Sequence, residues 1–392
     1  MVSSVVQVEE IQNASRTLPT KTLPITTKQA VENAAAPAVV ETTKPNIRRQ
    51  IDKEGGTTTA KYPHYLPVYY HDEKDEPLKP FDHVEHGIGA DPTFKDLLIE
   101  GSKIQKLTPS TGSEVTGVQL SQLSDAGKDQ LALLVAQRKV VAFRDQDFAD
   151  LPIATALEFG GYFGRHHIHT TGGSPEGYPE VMAVHRLGRI QEGDQFFGLN
   201  STVSWHSDVS NEAQPPGTTF LYVFDTPESG GDTAFVNQVE AYNRLSPALQ
   251  LRLHGLTAVH SGVEQVEFSR KRGGVVRREP AINEHPIVRT HPATGEKALY
   301  VNSGFTRSIV GLKKEESDAL LQFLYTHISR GIDFQARVRW APSTVVVWDV
   351  SYPQIVTSHS GIVDWTTGER RHLARIQPQA ERPFETPYVP KE

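Results

Sequence analysis

Apolar residues recur along this chain in two rhythms. Behind Ser124 and Asp125, the positions Leu131, Leu134 and Val135 repeat at helical spacing with the serine placed to cap the first turn, which predicts a helix over 125–137. Residues 139–144 then read KVVAFR, a β-branched run that predicts a strand. Further helices are predicted over 153–162, over part of 248–253 behind the cap-plus-proline start Ser246 and Pro247, and over 315–328, where Leu320, Leu321, Leu324 and Ile328 share one face. Between them lie short runs at 218–224, 233–236, 298–301 and 344–348, punctuated by Gly, Pro and Asn. Many short strands with few helices predict a mainly β fold with flanking helices, a double-sheet jelly-roll barrel whose mouth forms the pocket.

The pattern weakens toward the N-terminus. Residues 1–62 are rich in Thr, Ala, Val, Lys and Pro, lack sustained periodicity and read as a flexible arm. Residues 63–93 set Tyr65, Tyr69, Tyr70 and Phe81 among prolines and acids, an extended segment expected to lie on the body, which is expected to occupy 94–392. Val2–Val8 is too short and too interrupted for a signal peptide, and Glu9, Glu10, Glu32 and Glu41 argue against a mitochondrial presequence, so the expected location is cytoplasmic.

Composition narrows the chemistry. The chain of 392 residues is 37% hydrophobic and 22% charged, without an apolar run long enough to span a membrane. Its net charge of -7 gives no general attraction to nucleic acid or anionic lipid, although a local basic pocket could still take a small anion. The absence of cysteine removes disulfides, thiolate catalysis and Cys-ligated metals, leaving His and carboxylates as metal ligands. Homo-oligomerisation stays open.

One segment, Trp205-His206-Ser207-Asp208, places an imidazole and a carboxylate two residues apart, and on a strand both would reach one point. His-x-Asp alone is a weak signal that a solvated turn also produces. With a further histidine it could form a 2-His-1-carboxylate triad, which leaves coordination positions open for a cosubstrate and dioxygen.

Several blocks beyond this one resemble, in order, the taurine dioxygenase (TauD/TfdA) family, and within it the fungal sulfonate dioxygenases. They are FGRHHIH (163–169), WHSD (205–208), PPG (215–217), GGDTAF (230–235), VRTHPATGEKALYVNSGFT (288–306), VVWD (346–349) and RRHLAR (370–375). The resemblance implies an Fe(II)- and 2-oxoglutarate-dependent dioxygenase, using O2, with His206, Asp208 and the distal His359 as metal ligands. It implies that Thr233 and Arg371 hold the far carboxylate of 2-oxoglutarate, for which a planar two-pronged donor is well suited. His169 and Arg375 match positions that hold the anionic head of the substrate. The implied reaction hydroxylates a small anionic molecule, an organosulfonate first, releasing sulfite and an aldehyde.

The sequence departs from that family in places. His359 lies ten residues beyond Asp349, a longer spacing than usual, so 350–353 is expected to bulge and 355–359 to resume a strand with Ile355, Thr357 and His359 inward. Gly172 and Thr202 stand where the bacterial taurine enzyme has Tyr and Asn. That favours, as the alternatives, a tailoring oxygenase acting on an amino-acid-like or aromatic acid, or a jelly-roll binding protein without turnover. His372 competes with His359, Arg370 reads as a surface charge, Trp205 and Trp348 as packing, and His260, His285 and His291 as ordinary polar or half-buried histidines.

Overall fold

A computed structural model describes residues 59–187, 205–350 and 370–389, with the backbone of two short strands at 47–49 and 355–356. In chain order the strands are β1 (Ile47–Arg49), β2 (Val68–Tyr70), β3 (Lys103–Lys106), β4 (Ser113–Thr116), β5 (Val140–Phe143), β6 (Val181–Leu187), β7 (Thr218–Asp225) and β8 (Thr233–Asn237). They continue as β9 (Thr257–Ser261), β10 (Ile282–Pro286), β11 (Val288–Thr290), β12 (Lys297–Leu299), β13 (Thr306–Ile309), β14 (Gln335–Val338), β15 (Val345–Asp349), β16 (Ile355–Val356) and β17 (Arg370–Ile376). The helices are α1 (Asp125–Arg138), α2 (Ile153–Gly161), α3 (Gln238–Asn243), α4 (Pro247–Leu253), α5 (Val263–Lys271) and α6 (Lys314–Arg330).

The helix starts have the chemistry their sequences promise. Ser124 Oγ accepts the Gly127 N–H at the head of α1, and Ser246 Oγ accepts the Leu249 N–H at the head of α4. The predicted helices and strands are found with boundaries moved by up to a few residues, as fraying ends allow.

A seven-stranded sheet runs in the order β3-β4-β5-β15-β7-β17-β6, antiparallel except between β4 and β5. Its faces are written in alternate residues. Val345 and Val347 of β15, Phe220 and Tyr222 of β7 and Ala374 and Ile376 of β17 join one apolar cluster with α1 and α2. Val346 and Trp348, Leu221 and Val223, and Leu373 join another with Phe235 of β8 and Val338 of β14. Each fully buried Val or Phe of this kind contributes about 1.5–3 kcal/mol from burial. Opposite that second face stands the sheet β14-β8-β16, while β10-β9-β13 and the pair β11-β12 pack with α3, α4 and α6 in a third cluster.

Ahead of the predicted body, Tyr65 is fully buried against Tyr222 and Phe224, and β2 pairs with β1. These aromatics cover the outer face of the large sheet, so its inner face is the one left to carry polar chemistry. No helix among the described residues is long and apolar enough to cross a membrane.

Candidate active site

His206 and Asp208 are brought together by a turn, the second of the two readings that the sequence leaves open, and not by strand alternation. Between Trp205 and Glu212 the backbone makes two successive turns, with the Ser210 N–H donating to Ser207 O and the Glu212 N–H to Val209 O. Val209, next to Asp208, has φ +41°, which is strained for a β-branched residue and needs surrounding structure to hold it. Proline at 215 and 216 keeps this segment from continuing the β7 ladder.

That support is a buried polar bracket. Asn302 Nδ2, which can only donate, gives a 3.0 Å hydrogen bond to Ser210 Oγ, and the Ser210 hydroxyl shares a further hydrogen bond of 2.9 Å with His260 Nδ1. His285 Nε2 donates to the Glu212 carbonyl at 2.9 Å, and Asn283 Nδ2 donates to Asn211 O at 2.7 Å. Burial, then the neighbouring His285, holds His260 well below the ordinary histidine range, while burial and then Arg289 bring His285 down to about 3. Both imidazoles are therefore neutral network members. On the other side, a Cβ on Gly304 would lie 2.9 Å from His206 Cβ, so the chain must be glycine where it passes this ligand candidate.

Within this frame His206 Nε2 lies 3.4 Å from Asp208 Oδ1, a separation at which one cation can be shared. The donor set fits a borderline divalent metal: an imidazole nitrogen and a buried carboxylate oxygen. Arg375 Nη1 sits 2.9 Å from the same Oδ1, and its Nη2 contacts Met182 Sδ. His169 is nearby and buried. Its Nδ1 accepts the Thr171 N–H at 3.2 Å, which leaves Nε2 to carry the proton. Burial first, then Arg375, keeps its pKa well below the usual value, so His169 offers a neutral N–H beside a guanidinium. A Cβ on Gly172 would come within 3.0 Å of the His169 ring, so Gly172 closes directly over it.

Sequence reasoning missed the residues behind His169. Arg278 donates to Glu212 Oε1 at 3.1 Å and to Ile168 O at 2.7 Å, and His167 Nε2 lies 3.1 Å from that same carboxylate oxygen. Arg277 is buried and donates to Ser174 Oγ at 3.0 Å. The available signal was the double arginine closing GGVVRR, an expensive pair to bury without a purpose.

At the far end of the inner face, Arg371 lies against the glycine turn that leads into Thr233. Gly230 and Gly231 have φ +84° and +68°, and a Cβ on Gly231 would lie 3.9 Å from Arg371 Nε. Thr233 Oγ1 accepts the indole N–H of Trp340 at 2.9 Å, so its own proton is directed elsewhere. Trp340 was not singled out by sequence. Alternation along β17 places Arg371, Leu373 and Arg375 on one side and His372 on the other, where its Nε2 lies 3.2 Å from Tyr65 O. Arg370 reaches Thr59 O at 2.9 Å, away from the Thr233 corner. His291 Nδ1 accepts the Ala293 and Thr294 N–H groups, so Nε2 donates to Asp349 at 3.1 Å and pins the end of β15. Asp349 leads into the segment that carries His359; His359 and Thr202 lie outside the described residues, and β16 returns that segment to the ladder beside Val236 and Asn237.

A mainly β scaffold whose His206 nitrogen and Asp208 oxygen lie 3.4 Å apart presents the donors of a metal-dependent enzyme. The family model "Taurine catabolism dioxygenase TauD, TfdA family" matches residues 103–377, and the chain belongs to this family. It is 44% identical to an alpha-ketoglutarate-dependent sulfonate dioxygenase of Saccharomyces cerevisiae, over 83% of this chain and 79% of the relative. It is also 43% identical to the alpha-ketoglutarate-dependent dioxygenase cnsP of Penicillium expansum, over 82% of this chain and 87% of that one. Among solved structures, a taurine dioxygenase from Burkholderia xenovorans superposes with a TM-score of 0.57 at 29% identity, covering 72% of this chain and 91% of that one.

Proposed function

We propose that the chain is an Fe(II)- and 2-oxoglutarate-dependent dioxygenase that hydroxylates an organosulfonate at the carbon bearing sulfur. The observation that carries the substrate class is the pairing of a neutral His169 N–H with the Arg375 guanidinium beside Asp208, because a tetrahedral anionic head needs both a cation and a directed donor. Family membership and the sulfonate dioxygenase of S. cerevisiae support the same reading.

In this reading His206, Asp208 and His359 hold the iron, at the mouth of a double-stranded β-helix closed by the sheet of seven strands and the sheet β14-β8-β16. Thr233 and Arg371 bind the far carboxylate of 2-oxoglutarate, Thr233 with a hydroxyl proton that Trp340 leaves available. When bound, iron supplies activation of dioxygen coupled to loss of CO2 from 2-oxoglutarate, which becomes succinate. His169 and Arg375 keep the sulfonate fixed and turn its carbon toward the metal. Arg375 also holds the Asp208 carboxylate in one orientation. The hydroxylated carbon then expels sulfite as its O–H proton is lost, leaving an aldehyde, so one O2 and one 2-oxoglutarate are consumed for each sulfite released. The expected setting is the cytoplasm.

The test is a panel of alkanesulfonates scored for succinate and sulfite together. Equimolar sulfite and succinate from at least one sulfonate is the expected result. Succinate formation stimulated only by amino-acid-like or aromatic acids, with no sulfite from any sulfonate, would replace the substrate class while keeping the enzyme class. Absence of succinate formation with every substrate, despite bound Fe(II), would favour a binding protein.

A further inference from the structure

A second group of potential metal ligands lies apart from His206 and Asp208, where the extended N-terminal segment meets the tail that follows β17. His83, Glu85 and Glu381 each offer one ligand atom, all within 4.8 Å of one another. His83 Nε2 is 3.7 Å from Glu85 Oε2 and 3.7 Å from Glu381 Oε2. The distances are too long for hydrogen bonds, and neither ring nitrogen of His83 has a hydrogen-bond partner, although only 4% of its side chain is exposed. A buried imidazole pointing at two carboxylates without bonding to either is costly unless something sits between them.

The carboxylates are prepared for that role. Glu85 uses Oε1 to accept the Gly87 N–H at 2.8 Å, and Glu381 uses Oε1 to accept from Arg289 Nη2 at 3.1 Å. Each therefore keeps Oε2 for the common point, and Glu381 Oε2 is buried without a hydrogen-bond partner. With ligand bonds of about 2.1 Å, two ligands on a tetrahedral ion are separated by about 3.4 Å, close to the observed spacing. Two carboxylates against one guanidinium leave the cluster with negative charge to receive a cation. One nitrogen and two oxygens form a borderline donor set, suited to zinc or another divalent first-row ion and not to a thiophile.

We propose that His83, Glu85 and Glu381 form a second, structural site for a divalent first-row transition metal, which fastens the N-terminal segment to the C-terminal tail. The two segments already meet at Gln214, whose Nε2 donates to both Phe81 O and Ala380 O. A cation bound there ties residues far apart in sequence and stabilises the folded chain by binding to it alone. Gln214 lies on the segment that carries His206 and Asp208, so the fastening is continuous with the candidate active site without sharing its ligands.

The test uses the full chain, stripped of metal and dialysed against cobalt(II) at neutral pH, with bound ions counted per folded chain. Wild type is expected to hold one more cobalt than His83→Ala, and cobalt is expected to raise the unfolding temperature of wild type more than that of His83→Ala. The variant His206→Ala, which addresses the proposed iron site, should keep this additional ion, so failure of one site is separable from failure of the other. Equal cobalt in wild type and His83→Ala would overturn the proposal and leave His83 as an ion-pair partner of the two glutamates. Should His83→Ala not fold, Glu85→Gln retains an acceptor for the Gly87 N–H and is expected to bind cobalt more weakly at this site; unchanged binding in Glu85→Gln would equally overturn it.

Discussion

At the scale of single residues, the proposed iron ligands differ in what they do for the fold. Asp208 is the buried counterion of Arg375, so Asp208→Ala strands a guanidinium that is only 5% exposed. Breaking a buried pair from one side costs about 3–5 kcal/mol. His206 has no comparable burden, being partly exposed at the turn. Both variants are expected to lose iron-dependent turnover, but Asp208→Ala should also show a markedly lower urea midpoint while His206→Ala stays near wild type. Equal stability of the two would mean that the Arg375 contact is weak in solution. The proposed 2-oxoglutarate residues allow a finer test. Trp340→Phe removes the donor that orients Thr233, a loss of about 1 kcal/mol, or roughly a fivefold rise in KM for 2-oxoglutarate, with kcat at saturation little changed. Arg371→Lys replaces a fork by a point charge and should raise the same KM more steeply, by about tenfold or more, leaving the sulfonate KM nearly unaffected. Steady-state kinetics varying each substrate in turn checks both.

At the scale of elements, the site depends on segments that the sequence shows unequally. Strands filled with β-branched and apolar residues were legible, as in Val345 to Asp349, whereas Arg370 to Ile376, with three arginines and a histidine, shows its strand only through its pairing with β6 and β7. The sequence left strand and turn open at 205–208, because His-x-Asp suits both, and the deciding feature, φ +41° at Val209, belongs to tertiary restraint. Trp340 and Arg278 escaped notice for a related reason: an indole donor or a buried guanidinium is recognisable only when its distant acceptor is known. The passage of Gly304 over His206 is another such long-range fact, and it can be tested. In Gly304→Ala the new methyl would lie 2.9 Å from His206 Cβ, so the turn or the imidazole must shift. Weaker Fe(II) binding with a circular dichroism spectrum like wild type is expected; wild-type iron affinity would show that the 302–305 turn gives way without moving the ligand.

At the scale of the whole molecule, the polar bracket ties the stability of the fold to the shape of the site through pH. His260 and His285 are neutral in the folded chain because burial disfavours their charged forms, and His285 is brought down to about 3. In the unfolded chain the same imidazoles titrate near 6.5. Below about pH 6.5 the unfolded state binds more protons, so the stability these groups confer is complete above that pH and declines as pH falls, for His285 down toward 3. His285 contributes a slope of up to about 1.4 kcal/mol per pH unit in that window, and His260 acts in the same direction. Both side chains hold the segment that presents His206 and Asp208, His285 through the Glu212 carbonyl and His260 through Ser210. Acid should therefore loosen the turn that carries the proposed metal ligands as it weakens the fold. Urea midpoints of the metal-stripped chain are expected to fall steadily from pH 7 to pH 5, and His285→Gln, which removes one titrating group while keeping a donor for Glu212, should flatten that fall. A midpoint independent of pH in wild type, or an identical slope in His285→Gln, would show that His285 is charged or solvated in the folded chain and that the bracket does not couple acid to the site.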